Sequence, residues 1–188
     1  MQRHFRPQGF WNRARSWVSS ALGAVASDKA WDPVTKYSLD TRDPQVAQFL
    51  GKQKHIVTEH YGQMDPLSFS DYEGKDGFKA FRKALQENDP EKVIKEVLDS
   101  GLRGRGGGGF PSGRKWMLVR AAKGSPKAVV MNGDEGDPGA FMDRVTMECY
   151  PFRVLEGLMI AAFAVGAEKG YLYIRCEYPL AVERMEAA

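Results

Sequence analysis

Cysteine is scarce in this chain: the two thiols, Cys149 and Cys176, have no metal-ligand spacing. Two cysteines so placed give no disulfide framework, and they indicate a reducing compartment. Long apolar runs are missing as well, because the longest, residues 158–167, is too short to cross a bilayer. We therefore expect no direct membrane span and no protein-bound metal.

Strong charge of either sign is also absent. The 27 lysines and arginines against 24 acidic residues leave a formal net charge of only +3. Such a weak charge gives no reason to expect nucleic acid as a partner, and the positive charge is concentrated locally instead. A chain of 188 residues with 43% hydrophobic residues has the size of one globular domain with a tail.

Acidic residues are lacking altogether from residues 1–27, which carry four arginines. An arginine-bearing, acid-free amphipathic start is typical of an organelle transit peptide, and a basic surface helix or tail is the alternative. We expect a cytoplasmic, bacterial protein or, if this segment is a transit peptide, one of the mitochondrial matrix or hydrogenosome. Asp-Pro pairs follow at 32–33 and 43–44, so residues 1–54 are predicted to be a basic extension and an irregular linker.

The remaining segment, residues 55–188, is predicted to be one α/β domain. Apolar spacing and start signals predict four helices: over 78–86, from residue 90 onward, over 152–168 and from residue 180 onward. Gly170 is predicted to end the helix over 152–168. Short apolar runs predict strands over 55–60, 127–131 and 171–175. A strand, a long helix and a strand form a βαβ unit, which predicts a Rossmann-like, partly parallel sheet with flanking helices.

Glycine and positive charge are concentrated in residues 101–111, which we call the glycine loop, and in the residues that follow it. Glycine allows positive φ and a close approach of backbone to ligand, and free N–H groups there form an anion-binding concavity. Ser112 is predicted to cap a helix over 114–122, which aims a helix N-terminus at the same place. With Lys115 adding charge, the pattern predicts a phosphate-bearing ligand, and the stiff exit through Phe110 and Pro111 argues against a flexible linker.

Two standard phosphate-binding patterns fail at this loop. Gly104, Gly106 and Gly109 fit the dinucleotide fingerprint by spacing, but that fingerprint follows a strand and a helix is predicted here. In the P-loop pattern Arg114 stands where lysine belongs. The backbone argument for a phosphate ligand therefore stands without either motif.

Three carboxylates, Asp134, Glu135 and Asp137, crowd the segment after the second predicted strand. We call residues 132–138 the acidic loop. It lies where open α/β sheets bind ligands, at the carboxyl end of a strand. A cation site and a solvated acidic turn are the alternatives, although the spacing does not match an EF-hand loop.

These motifs together resemble the NADH-oxidising flavoprotein subunit, of the 51 kDa type, of respiratory complex I. The same subunit occurs in NAD(P)-reducing hydrogenases and NAD-dependent formate dehydrogenases. The resemblance covers residues 56–188 and rests on the stretches 101–116 (GLRGRGGGGFPSGRKW), 132–144 (NGDEGDPGAFMDR), 155–157 (LEG) and 173–179 (YIRCEYP).

The resemblance implies FMN as cofactor, NAD(H) as substrate and an oxidoreductase activity. It implies that Phe110 stacks on the adenine of the dinucleotide; the other interpretation is that Phe110 only anchors the loop. It also implies that Glu135 is the catalytic-site residue and acts by hydrogen bonding and orientation. Leu118 and Phe152 depart from the family pattern. The residues implied to bind cofactor or substrate are Gly104, Arg105, Gly106, Gly107, Gly108, Phe110, Lys115, Asn132, Asp134, Glu135, Gly136, Glu177 and Tyr178.

The family continues into a domain that binds a [4Fe–4S] cluster, and two cysteines cannot hold one. The resemblance therefore implies an incomplete N-terminal part, truncated at its C-terminus, whose partners are iron–sulfur subunits and whose cluster lies outside this chain. The alternative is a truncated, inactive flavin- or nucleotide-binding or assembly module. A phosphate-binding α/β domain unrelated to flavin is a third interpretation.

Overall fold

The structure, a computed structural model, describes residues 44–60 and 63–188. The described residues fall into two units, divided after Glu59. The basic segment 1–27, with its predicted targeting role, lies outside the described residues.

In the first unit, helix α1 spans Pro44–Leu50. This corrects the expectation of an irregular connection: Pro44 is the first helical residue, a position that proline favours, and the Asp-Pro pair marks a helix start. The strand predicted over 55–60 is also wrong, since these residues form bends and turns. Within that segment the imidazole Nδ1 of His55 lies 3.0 Å from the hydroxyl of Thr58.

The second unit contains the remaining described elements. They are α2 (Phe69–Gly74), α3 (Lys79–Glu87), α4 (Pro90–Asp99), α5 (Ser112–Ala121), β1 (Ala128–Gly133), α6 (Met142–Cys149), α7 (Pro151–Val165), β2 (Lys169–Ile174) and α8 (Pro179–Ala187).

The two strands pair in parallel, with Ala128 opposite Lys169 and Gly133 opposite Ile174. This confirms the predicted α/β class with a parallel sheet. The connection from β1 to β2 passes through two helices, α6 and α7, whereas the sequence predicts one. Both strands end at the same edge, so the acidic loop and the segment after β2 leave the sheet side by side.

Local signals explain where several helices begin and end. The Asp89 carboxylate accepts the N–H of Lys92 at 3.0 Å and Pro90 follows at the first helical position, as predicted for α4. Helix α7 ends at Gly166, which takes a left-handed φ of 73°. The prediction that Gly170 ends this helix is therefore wrong: Gly170 lies inside β2.

The main apolar cluster joins the sheet to α6 and α8. Its buried members are Met147, Tyr178, Ala181 and Met185, with partly buried Met131, Val154, Leu155 and Ile174 packed against them. Gly133 permits this approach, because a Cβ there would lie 2.7 Å from the Met147 sulfur and 3.2 Å from the Tyr173 carbonyl oxygen. Glycine at the end of β1 is thus a packing requirement.

A buried carboxylate ties α7 to the segment around α2 and α3. Glu156 is 8% exposed and accepts the Tyr72 hydroxyl at 2.5 Å and the N–H groups of Phe78 and Phe81 at 2.9 and 3.2 Å. Burial and this carboxylate raise the pKa of Tyr72 above its ordinary range. Across residues 44–60 and 63–188, no helix is long and apolar enough to cross a bilayer.

Candidate functional site

The glycine loop is closed at its neck by its own chain. Arg103 pairs with Pro111 in an antiparallel bridge, and the N–H of Gly104 donates to the Phe110 carbonyl at 2.9 Å. The Arg103 side chain completes the closure, because its Nε donates to the Gly109 carbonyl at 2.6 Å. The loop is therefore a defined structure that depends on contacts within residues 102–112.

Above this neck the backbone donors are unused. Within the described part of the chain, the N–H groups of residues 105–110 donate to no backbone or side-chain acceptor. Gly106, Gly107 and Gly108 are exposed with open space around them, and Gly107 takes a φ of 97°, which suits glycine. A run of free amides with room beside it fits a phosphate group chemically.

Helix α5 begins directly after the loop. It starts at Ser112 with Pro111 at the N-cap position and no side-chain cap bond, so the prediction of Ser112 as the cap is wrong. Instead the Ser112 N–H donates to the Leu102 carbonyl at 2.9 Å and helps to close the neck. Lys115 lies exposed in the first turn of α5, where its charge adds to that of the helix N-terminus.

Phe110 is 48% exposed beside the loop, and the Arg114 guanidinium lies 5.9 Å from the centre of its ring. The adjoining Gly113 is buried against α4: a Cβ there would lie 2.5 Å from the backbone nitrogen of Leu98. Close contact of α4 and α5 therefore fixes the base of the loop.

The acidic loop starts inside β1, because Asn132 belongs to that strand. The Asn132 side-chain oxygen accepts the Asp134 N–H at 3.0 Å. Asn132, Asp134 and Gly136 are all exposed. Their polar atoms are thus presented at the carboxyl edge of the sheet, where the sequence places a ligand.

Glu135 is held from several sides. Its carboxylate accepts the N–H groups of Asp143 and Arg144 at 2.8 and 3.0 Å, and so caps the N-terminus of α6. The Tyr178 hydroxyl donates to the same carboxylate at 2.9 Å. The backbone of Glu135 has a φ of 39°, in the left-handed region. Local folding therefore fixes both its backbone and its side chain.

Arg175, immediately after β2, completes this arrangement. Its Nη1 donates to the Glu135 carbonyl at 2.7 Å, and its Nε and Nη2 bind the Glu177 carboxylate at 3.2 and 2.9 Å. Two guanidinium groups, those of Arg144 and Arg175, lie 5.2 and 5.3 Å from the centre of the Tyr178 ring.

The acidity of these groups follows their contacts. Hydrogen bonds from Arg175 lower the pKa of Glu177 from 4.5 to about 2. Burial and the hydrogen bond to Glu135 raise the pKa of Tyr178. Burial, with the neighbouring charge of Glu135, raises the pKa of Asp143. The network therefore holds an ionised Glu177 and a protonated tyrosine hydroxyl.

The structure brings Glu135, Glu177 and Tyr178 together through the hydrogen bonds of Arg175 and of the Tyr178 hydroxyl. No hydrogen bond or ion pair among the described residues joins the glycine loop to the acidic loop. An open depression of about 450 Å³ lies elsewhere, on residues of α2, α3 and the turn between them, and contains none of the predicted site residues. The sequence missed Arg175 and Arg144, because nothing in local spacing shows what an arginine reaches.

Across the described ranges, no cluster of three or more histidine, cysteine, aspartate or glutamate side chains could hold a metal ion. The three carboxylates of the acidic loop thus form no such group, although they lie close in sequence.

Comparison with known protein families finds a match. Residues 97–188 match the model of the Nuo51 FMN-binding domain. The match contains both loops and all the predicted site residues, and the family's description supports the prediction of FMN as cofactor. We refer to residues 97–188 as the matched segment.

Similar proteins agree with this match. An NADH-quinone oxidoreductase component of Rhizobium meliloti is 51% identical over 119 residues, which is 63% of this chain and 28% of that protein. The HndC component of an NADP-reducing hydrogenase of Solidesulfovibrio fructosivorans is 45% identical over 137 residues, 73% of this chain and 28% of that protein. The relatives confirm the predicted resemblance to oxidoreductase flavoproteins.

Among solved structures, an air-oxidised NAD+-reducing [NiFe]-hydrogenase matches with a TM-score of 0.52 and 29% identity. The match covers 96% of this chain and 28% of the hydrogenase chain. This chain thus spans under a third of the length of the relatives and structures it resembles.

Proposed function

We propose that the matched segment, residues 97–188, binds FMN at the glycine loop and NADH beside the acidic loop, as part of an NAD(P)H-oxidising flavoprotein subunit. Its partners would be iron–sulfur subunits of a multi-subunit redox complex. The [4Fe–4S] cluster that receives the electrons would lie outside this chain.

One observation carries the proposal: the run of unpaired amides over residues 105–110, closed at its neck and followed by a helix N-terminus. Amides, a helix N-terminus and the charge of Lys115 lie close together in the sequence and each favours an anion, and the flavin phosphate is the anion that the family name indicates. Arg105 is exposed in the same loop and adds a second cation.

FMN, when bound, accepts a hydride from the nicotinamide and passes electrons on. The protein contributes position and electrostatics. Asn132 and Asp134 present hydrogen-bonding atoms at the sheet edge, and Gly136 leaves the adjoining backbone open. Phe110 offers an exposed aromatic face for an adenine ring.

Glu135 suits orientation better than proton transfer. A carboxylate has about four acceptor positions, and three are occupied by Asp143, Arg144 and Tyr178. One acceptor position is thus left for a ligand, on a side chain that cannot turn freely. Arg175 links Glu177 to Glu135, and the Tyr178 hydroxyl donates to the Glu135 carboxylate. We propose that these three residues contact the nicotinamide.

The proposal is tested by titrating FMN into the 188-residue chain and following quenching of flavin fluorescence. In Gly107→Val, a branched side chain occupies a residue with positive φ in the loop, so we expect FMN affinity to fall at least about tenfold. Gly124→Val is the matched control: its φ is also positive, at 138°, with open space around it, and it lies outside the loop. Equal FMN affinities in the two variants would refute the phosphate role of the loop.

NADH oxidation separates the catalytic function from an inactive flavin-binding module. The FMN-loaded chain is mixed with NADH and ferricyanide, and reduction of ferricyanide is followed by its absorbance. We expect reduction that depends on bound FMN. FMN binding without any ferricyanide reduction would favour the inactive binding or assembly module.

A further inference from the structure

Arg175 is the one described side chain that bonds to the backbone of the acidic loop from the segment after β2. Its side chain is 26% exposed, although it is charged and lies at the end of a strand. Its three guanidinium nitrogens donate to Glu135 and Glu177, two of the residues proposed to bind the nicotinamide. This concentration of contacts points to a specific task.

The first contact restrains a strained backbone. Glu135 has a φ of 39°, a left-handed conformation that is unfavourable for a non-glycine residue and persists only where its surroundings enforce it. Arg175 Nη1 holds the carbonyl of this same residue at 2.7 Å. The arginine therefore opposes a flip of the peptide that follows Glu135.

The other contacts fix the neighbouring side chains. Glu177 receives two parallel bonds from the guanidinium, a geometry that arginine can offer and lysine cannot. The guanidinium also covers the ring of Tyr178, whose hydroxyl returns to the Glu135 carboxylate. Arg175, Glu135 and Tyr178 therefore each contact the other two, and Glu177 is bound to Arg175.

We propose that Arg175 is the positioning residue that holds Glu135, Glu177 and Tyr178 in one fixed arrangement for the nicotinamide nucleotide. It acts through these residues and touches no reacting atom. This inference rests on the proposed function, because it names the residue on which the nucleotide side of that site depends. The glycine loop shares no hydrogen bond with Arg175 among the described residues, so FMN retention does not need it.

The test uses Arg175→Lys, which keeps the charge and loses the fork, and Arg175→Met, which loses both. Arg82→Lys is the control, because Arg82 forms an ion pair with Glu73 on the surface of another helix. NADH affinity and FMN affinity are measured on the 188-residue chain, and the carbonyl 13C shift of Glu135 is followed by NMR. Urea unfolding shows whether a variant still folds.

We expect both Arg175 variants to lose about tenfold or more in NADH affinity, with FMN affinity changed less than about twofold. The Glu135 carbonyl shift should move in both, and neither effect should appear in Arg82→Lys. A purely structural role would instead weaken FMN and NADH binding together, in proportion to lost stability, and would overturn the inference.

The inference and the proposed function fail in different ways. If the wild-type chain binds FMN and NADH but Arg175→Lys keeps full NADH affinity, the inference is overturned and the function stands. If the wild-type chain binds neither, the function fails, and the inference that rests on it fails with it. An unchanged Glu135 carbonyl shift in Arg175→Met would overturn it in either case.

Discussion

The glycine loop and the acidic loop are held in opposite ways. The glycine loop is closed by bonds that span at most ten residues, and the N–H groups of residues 105–110 donate to no acceptor among the described residues. The acidic loop is held by bonds from α6, from the segment after β2 and from the start of α8, up to 43 residues away in sequence. One loop is built by its own segment and the other by the tertiary fold.

This difference suits the two ligands proposed for the site. A phosphate group is recognised by amides and charge, which a short loop can supply by itself. A nicotinamide has to be oriented, and orientation requires side chains that are fixed by their neighbours. The comparison predicts that changes in the glycine loop alter affinity alone, while changes in the acidic loop alter affinity and stability together.

The largest effect is expected at Gly113, which lies in α5 just beyond the glycine loop and packs tightly against α4. In Gly113→Ala the new Cβ meets the backbone of Leu98, so α4 and α5 must separate, at a cost of about 3 kcal/mol in the free energy of unfolding. Urea denaturation measures this. Gly157→Ala, in α7 with open space around it, should be neutral or stabilising, and equal losses in the two variants would contradict the packing argument.

Lys115→Ala should weaken FMN binding by roughly 1.5–3 kcal/mol, because a charge-assisted bond to the phosphate is lost. The free energy of unfolding should hardly change, since Lys115 is exposed. Isothermal titration with FMN measures the affinity. Lys123→Ala, another exposed lysine outside the loop, is the control, and an equal loss of affinity there would count against a specific phosphate contact.

Glu135→Gln should destabilise the fold by about 1 kcal/mol, because the amide cannot accept both N–H groups at the start of α6. NADH affinity should fall more than FMN affinity. Equilibrium binding of each ligand and urea unfolding distinguish the two effects. The control is Glu183→Gln, at an exposed glutamate of α8, which should change none of these quantities. If Glu135→Gln also left all of them unchanged, Glu135 would not belong to the site.

The smallest effect is a pH dependence. Because the pKa of Glu177 is lowered from 4.5 to about 2, its ion pair with Arg175 contributes stability above about pH 4.5 and loses it as pH falls towards 2. The difference in unfolding free energy between the wild type and Glu177→Gln should therefore shrink over that interval. A difference that stayed constant from pH 4.5 to 2 would show that the ion pair does not form in solution.

Local sequence signals predicted the parts of the fold that local contacts determine. The Asp89-Pro90 start of α4 and the exposed backbone of the glycine loop follow from neighbouring residues. The parallel strand pair follows from the predicted order of strand, helix and strand. The same reasoning misread residues 44–50, because an Asp-Pro pair marks both a turn and a helix start.

Helix α6 was missed for a physical reason. Its N-cap residue, Phe141, makes no side-chain cap bond, and the cap comes instead from Glu135, at the far end of the loop. Rules that search the residues next to a helix cannot find such a cap. The roles of Glu156 and Arg175 were hidden in the same way, since each acts on residues far along the chain.

The spans of these contacts have a consequence for the order in which the site assembles. The Arg103–Gly109 bond closes over 6 residues, whereas the Arg175–Glu135 bond closes over 40 and needs the crossover through α6 and α7. On loop length alone the second closure costs about 1.7 kcal/mol more in chain entropy. We therefore expect the backbone of the glycine loop to form early as the chain folds, ahead of the contacts of the acidic loop, which appear only with the finished sheet.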